Sequence, residues 1–310
     1  MPVTFEPATG ARILAENSVE TRWPRISLVT AVRNSAKYIE DTIQSVLVQN
    51  YPNLEYFIVD GGSTDGTLDI IRKYEKQFTG WISEPDNGMY DALNKGFART
   101  SGEIMGWISA TDRLQLGGLK IVGSVFRDLP SVEWITGRPT ILNEEGMAVY
   151  LDGQPRWSRI RFLAGANWTI QQESTYWRRS LWERAGSHVD ASQRNGADFE
   201  LWLRFFRYAQ IYPVNGLIGA FRRHDDSLFL CNMEACHKLV DRYIEAELDS
   251  APYGKWLRLL RRVGARMQSN PLLSKIWKRQ FMDRLYHRTG RDWPPIIEYQ
   301  NDKWGFRPER

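Results

Sequence analysis

Sulfur and imidazole are scarce in this chain: two cysteines, Cys231 and Cys236, and four histidines among 310 residues. Two neighbouring thiols are too few for a disulfide scaffold, and they lack the second pair that a structural zinc site takes. No run approaches the roughly 20 consecutive apolar residues that cross a bilayer. The opening MPVTFEPATGARILAENSVE has neither a basic start nor an apolar stretch, so no signal peptide is expected there. Internal repeats and low-complexity tracts are also missing. Together these absences predict a reducing, cytoplasmic setting.

With 42% hydrophobic and 25% charged residues, the composition is that of a globular protein. The net charge of +4 hides an uneven distribution. From Ala251 onward there are 14 Lys and Arg against 5 Asp and Glu, which leaves 27 basic and 32 acidic side chains before it. The tail is electrostatically separate from the rest and is expected to face something anionic. No nucleic-acid recognition motif accompanies the charge, so nucleic acid is not expected as a partner.

Three regions are expected: an N-terminal arm over 1–24, a main domain over 25–230 and a basic helical extension over 231–310. From Arg25 the rhythm alternates. RISLVTAV, LEYFIVD, GWISEPD and EIMGWISA read as strands. Between and after them SAKYIEDTIQSVLVQN, TLDIIRKYEKQF, MYDALNKGFART and LQLGGLKIVGSVFRDL read as helices. That alternation predicts an α/β fold, a mostly parallel sheet flanked by helices. Ligands in such sheets bind beyond the carboxyl ends of the strands, where Asp60 and Asp112 fall. Past Leu129 the pattern changes to a strand pair turned at Glu144-Glu145-Gly146, an extended NWTIQQESTYW, then helices in RRSLWERAG and ADFELWLRFFRYA.

The stretch FIVDGGSTDGTLDII ends a buried strand on a carboxylate followed by two glycines. It is neither GxGxxG nor a P-loop, since no GK[ST] follows, and Gly62 and Thr64 stand where an EF-hand needs ligating side chains. Asp65 reads as a cap for the next helix. Asp60 has no capping task and could accept hydrogen bonds from a ligand brought close by the glycines.

Taken with SLVTAVRN and SEPDNGMYDALNKGFARTSGEIMGWISATD, the stretch resembles the nucleotide-binding half of the family 2 glycosyltransferases, which have a GT-A fold. The likeness is greatest to the bacterial branch that builds surface polysaccharides and lipid-linked glycans. It continues through IQQESTYWRRSLWERAG and ADFELWLRFF to FRRHDDSL, about two thirds of the chain. The resemblance divides the main domain into a nucleotide-sugar half (25–112) and an acceptor half (113–230). Thr30, Val32 and Asn34 would line base and ribose, and Asp60 would hold the nucleobase, most often uracil in relatives. Asp91 and Asn94 would face ribose or donor sugar, and Gln172 would approach the acceptor. Asp112 would hold a divalent metal, Mn²⁺ or Mg²⁺, against the donor diphosphate, with His224 nearby.

Two departures bear on this. Relatives carry an acidic pair where this chain has Thr111-Asp112, and a Glu where it has Ala197. One carboxylate can suffice when phosphate and water fill the remaining positions, but the site should be weaker. Asp198 matches the general base of inverting members. The implied activity is a hexosyltransferase-like, inverting transfer from a nucleotide-diphosphate sugar to a glycan or lipid-linked acceptor. The rival reading, motivated by Thr111 and Ala197, is a catalytically impaired nucleotide-sugar-binding or scaffolding homologue.

In the tail, Trp256, Leu259, Leu260 and Val263 fall on one helical side, flanked by Arg258, Arg261, Arg262 and Arg266. Peripheral contact with an anionic membrane through 251–290 is one expectation. Packing of the same helices on the domain is the other.

Overall fold

The computed structural model describes residues 22–164, 169–224, 233–250, 253–268 and 294–307. Most of the arm therefore lies outside the described residues, as does the second amphipathic tail segment around Leu272, Ile276, Phe281 and Leu285.

Strand β1 (Ile26–Val32) is buried along its whole length, which is why its sequence is a continuous apolar run rather than an alternating one. Val29 and Ala31 enter one core layer, while Leu28 and Val32 enter the other. Around β1 stand β2 (Leu54–Asp60), β3 (Gly80–Ser83) and β4 (Ile104–Trp107), all parallel to their neighbours in the order β4-β1-β2-β3. Helices α1 (Ile39–Leu47), α2 (Thr67–Tyr74) and α3 (Met89–Phe97) connect them. The register sets Val32 opposite Asp60 and Asp60 opposite Ser83, so the strands end level with one another. A level edge of C-termini gives the crevice that an α/β sheet offers a ligand.

Beyond β4 the chain adds β5 (Arg113–Leu114), α4 (Gly118–Asp128), β6 (Trp134–Thr136), β7 (Thr140–Leu142) and β8 (Ala148–Leu151). The turn at Glu144-Glu145-Gly146 forms as expected, between β7 and β8. Strand β6 leaves that pair and joins the main sheet instead. After α5 (Arg159–Leu163), the stretch expected to be extended contains a 3-10 turn, Gln172–Ser174, before β9 (Thr175–Arg178). Strand β9 runs antiparallel between β4 and β6, making the sheet mixed. Then come α6 (Arg179–Arg184), α7 (Ala197–Phe205), β10 (Tyr212–Pro213) and β11 (Gly219–Arg222), the last of which heads a second sheet with β5, β7 and β8.

Tryptophan fills the layer under α7. Trp107 and Trp202 stack at 5.7 Å and 4° between ring planes, with Trp134 and Trp177 packed against them. All four are buried, in keeping with a core rather than a sugar-stacking role for Trp107 and Trp202.

The extension, expected to be helical from Met233 to Pro294, is helical where it is described up to Gln268. Helices α8 (Met233–Ser250) and α9 (Gly254–Gln268) are followed, in the last described stretch, by a hairpin of β12 (Ile297–Gln300) and β13 (Lys303–Phe306). Asn301 and Asp302 both have positive φ, which a two-residue hairpin turn requires. Trp304 tucks into the layer beside α4, its indole N–H donating to Ser124 at 2.7 Å. The α9 face also divides differently from the sequence pattern. Leu257 and Leu260 pack inward, Arg258 pairs with Glu245 and Asp249, and Arg261 pairs with Asp241, all three acids on α8.

Candidate active site

Asp60 closes β2 at the strand edge, but its carboxylate is turned to its own loop. It accepts from the N–H groups of Gly62 and Ser63, both at 3.0 Å, and from the hydroxyls of Ser63 and Ser83. With no exposed surface, it shapes the loop from within. Gly61 is required by a neighbour: a Cβ there would lie 2.3 Å from an oxygen of Asp86, a residue the sequence reading passed over.

The first loop is tied to the second. Asn34 adopts φ 49°, a conformation asparagine tolerates, and its side-chain oxygen accepts from Thr64 N–H at 2.9 Å. Asn34 is exposed, whereas Thr30 is buried against the Tyr56 hydroxyl and Val32 is buried beside it. On α3, Asp91 accepts from the Asn87 N–H and pairs with Lys95 at 3.4 Å. The Asn94 amide makes two bonds of 2.8 Å to the backbone of Val189, holding the segment that leads into α7.

Asp112 follows β4 and is 1% exposed. Its Oδ1 accepts from Arg222 N–H at 2.9 Å, and Gln172 Nε2 stands 3.3 Å from its Oδ2 and 3.1 Å from Ser109 Oγ. Gln172, expected to approach the acceptor, is thus bonded to the Asp112 carboxylate. Burial drives the Asp112 carboxyl above the ordinary range, against the pull of the Arg222 N–H.

The adjoining Glu173 is equally buried, and its Oε1 has no hydrogen-bond partner. Burial, then the nearby charges of Asp112 and Asp198, push it far above the carboxylate range. Gln172, the residue before it, ties this turn to Asp112. Nothing in QQESTYW marked Glu173 out, since its use depends on strands that come from elsewhere in the chain.

Asp198 stands in the first turn of α7, half-buried, and accepts a hydrogen bond from the Tyr90 hydroxyl at 3.2 Å. Burial raises it to about 6, with the Tyr90 bond working in the opposite direction. A carboxylate tuned this way is ionised at neutral pH yet more basic than a solvated one, the property a general base needs. Trp202, one turn on, anchors the helix through its stack on Trp107.

Arg222 ties together three segments beside Asp112. Its guanidinium is 3% exposed and donates to the carbonyl oxygens of Thr111 and Glu144, both at 2.7 Å, and to the Asp41 carboxylate. His224, two residues on, lies against the Tyr38 ring with centroids 5.1 Å apart. Among the described residues, no three His, Cys, Asp or Glu side chains form a metal-binding group. A cation held partly by phosphate needs fewer. The buried Asp112 and the unpartnered side-chain oxygen of Gln172 are hard oxygen donors that suit Mg²⁺ or Mn²⁺.

Residues 27–115 match the family described as glycosyl transferase family 2. An uncharacterized glycosyltransferase of Mycobacterium tuberculosis is 30% identical over 192 residues, 59% of this chain and 70% of that protein. The poly-beta-1,6-N-acetyl-D-glucosamine synthase of Staphylococcus epidermidis is 28% identical over 183 residues, covering 56% of this chain but only 44% of the synthase. Among solved structures, Staphylococcus aureus TarS 1-349 in complex with UDP-GlcNAc superposes with a TM-score of 0.62 at 16% identity. That match covers 84% of this chain and 77% of TarS 1-349, which agrees with the GT-A fold expected from the sequence. The chain is a member of the family 2 glycosyltransferases, related to cell-surface polysaccharide synthases.

Proposed function

We propose that the protein is an inverting glycosyltransferase that moves a sugar from a nucleotide-diphosphate donor, a UDP-sugar, to a glycan or lipid-linked acceptor of a surface polysaccharide. The observation that carries this is Asp198: a half-buried carboxylate raised to about 6, in electrostatic contact with the same buried glutamate as Asp112. Asp198 takes the proton of an acceptor hydroxyl as that oxygen attacks the anomeric carbon. The nucleoside diphosphate leaves from the opposite side, so the configuration inverts. General-base assistance of this kind is typically worth 10²–10⁴-fold, in round terms about 3–5 kcal/mol. Asp112 would hold the divalent cation, which when bound supplies positive charge against the diphosphate. The UDP-GlcNAc bound by TarS supports a uridine donor.

Incubation with UDP-sugars and Mn²⁺, following UDP release and the anomeric configuration of the product by NMR, tests this. Release with an inverted product is expected. Nucleotide binding with no release above background would favour the impaired homologue that Thr111 and Ala197 suggest, and a retained configuration would remove Asp198 as base.

The acceptor reading gives α9 a purpose. Tyr253, Trp256, Leu259 and Val263 are exposed along one side of it, with Leu257 and Leu260 packed on the other. Lys255 and Arg262 flank that stripe and are exposed as well. An amphipathic face of this kind lies in an anionic membrane surface, bringing the crevice to a lipid-linked acceptor.

A further inference from the structure

We infer that Glu173 supplies the second carboxylate of the cation site, standing in from the 3-10 turn for the acidic residue that Thr111 replaces. The inference rests on the nucleotide-sugar reading above and assigns the metal-holding role to a residue outside the strand-end pair.

The 3-10 turn Gln172–Ser174 packs against β4, β5 and β11, so it is wedged between the strand that leads to Asp112 and the strand that carries Arg222. Three bonds lock it there. Gln172 Nε2 reaches Asp112 Oδ2 and Ser109 Oγ, and Ser174 Oγ donates to Gly219 carbonyl oxygen at 3.1 Å. At Gly219 a Cβ would lie 2.2 Å from the Glu173 carbonyl oxygen and 3.1 Å from its Cγ. Only glycine lets the backbone of the turn at Glu173 come so close to β11, with the glutamate Cγ beside it. The strand has given up a side chain at the point where Glu173 runs inward.

What reaches the interior is a carboxylate with a task unmet. Glu173 is 1% exposed and its Oε1 accepts no hydrogen bond. Burying such a group alone is costly, and among the described residues the charges acting on it are those of Asp112 and Asp198, both acids. Like charges gathered out of water are held by a cation or kept protonated. Beside them the Gln172 side-chain oxygen is also without a partner. Two carboxylates and an amide oxygen are the donors Mg²⁺ and Mn²⁺ prefer. Thr111 cannot contribute a carboxylate, and its carbonyl oxygen is already taken by Arg222.

Mn²⁺ uptake measures the site without turnover. Loss of the EPR signal of free Mn²⁺ on adding protein, in the presence and absence of UDP, gives the affinity. Wild type is expected to take up Mn²⁺ in the presence of UDP. Glu173→Gln keeps the shape but removes the charge, and should weaken uptake by more than about tenfold. Thr111→Asp in the Glu173→Gln background should restore it by returning a carboxylate to the strand-end position. Thermal melting in metal-free buffer serves as the folding control, with Glu173→Gln expected to melt at or above wild type because no carboxyl has to be buried there. Equal Mn²⁺ affinity for wild type and Glu173→Gln, both folded and both binding UDP, overturns the inference and leaves the glycosyltransferase reading standing. UDP binding by wild type with no Mn²⁺ uptake overturns it as well. A wild-type protein that binds no uridine nucleotide takes the donor reading down with it.

Discussion

The Tyr90 hydroxyl donates to Asp198 Oδ1 across 3.2 Å, joining the first turn of α3 to the first turn of α7. The bond favours the ionised carboxylate and so holds its proton affinity below what burial alone would produce. With Asp198 as base, kcat/KM falls as pH drops through about 6. Tyr90→Phe removes the donor, so this acid limb should move to higher pH, by about one unit for a hydrogen bond to a charged group. A pH–rate profile of the variant checks it; an unmoved limb means the bond does not tune the base.

Asp198→Asn separates stability from activity. Turnover should fall by at least about a hundredfold with UDP binding retained. The folded carboxyl titrates near 6, above the ordinary value of about 3.9, so the folded state binds the proton more tightly. Its contribution to wild-type stability is full at low pH and is lost as pH rises through 6. Asparagine does not titrate. The variant should therefore match wild type near pH 4 and exceed it at pH 8, by about 1–3 kcal/mol after allowing for partial exposure. Urea denaturation at the two pH values measures the difference.

Gly61→Ala forces a methyl group to within 2.3 Å of the Asp86 carboxylate. A cost of about 1–3 kcal/mol is expected, along with weaker nucleotide binding as the loop shifts. Adding Asp86→Ala removes the obstruction and should recover most of the stability. If the double variant is as unstable as the single, the collision is not the cause.

Trp202→Ala would open a cavity against Trp107, Trp134 and Trp177. Loss of about 3–5 kcal/mol is expected, and Trp202→Phe should lose less. Chemical denaturation gives both values.

Trp256→Glu with Leu259→Glu alters only exposed positions, so melting should be unchanged. Flotation with vesicles containing anionic lipid should fall sharply for this variant, and raising the salt concentration should release the wild-type protein. Equal flotation of the two proteins would end the membrane assignment for this face.

The strand and helix alternation was legible because parallel strands buried on both faces read as unbroken apolar runs, as in ISLVTAV. The strand-end positions of Asp60 and Asp112 followed from it. How their lone pairs are used did not, because that depends on loop paths: Asp60 is engaged by Ser63 and by Ser83 from the next strand. Glu173 was out of reach for the same reason, its turn being held by Asp112 and Gly219 from distant segments. The hairpin at the end could have been found, since IEYQ and KWGF flank an Asn-Asp turn. The helical pattern ahead of it drew the boundary too far. The α9 arginines show the reverse difficulty. Their spacing was visible, but the acids on α8 that neutralise two of them were not.

Because β12 and β13 lie against α4, with Ile297 bridging to Val214 and Trp304 bonding Asp128 through its backbone, residues as far apart in sequence as Ile26 and Trp304 are built into one layer. Without residues 294–307 that layer would stay unfinished. Shortening the chain at the carboxyl end would strip part of the scaffold under the sheet, so surface substitutions, and not truncations, are the means of asking what the extension does.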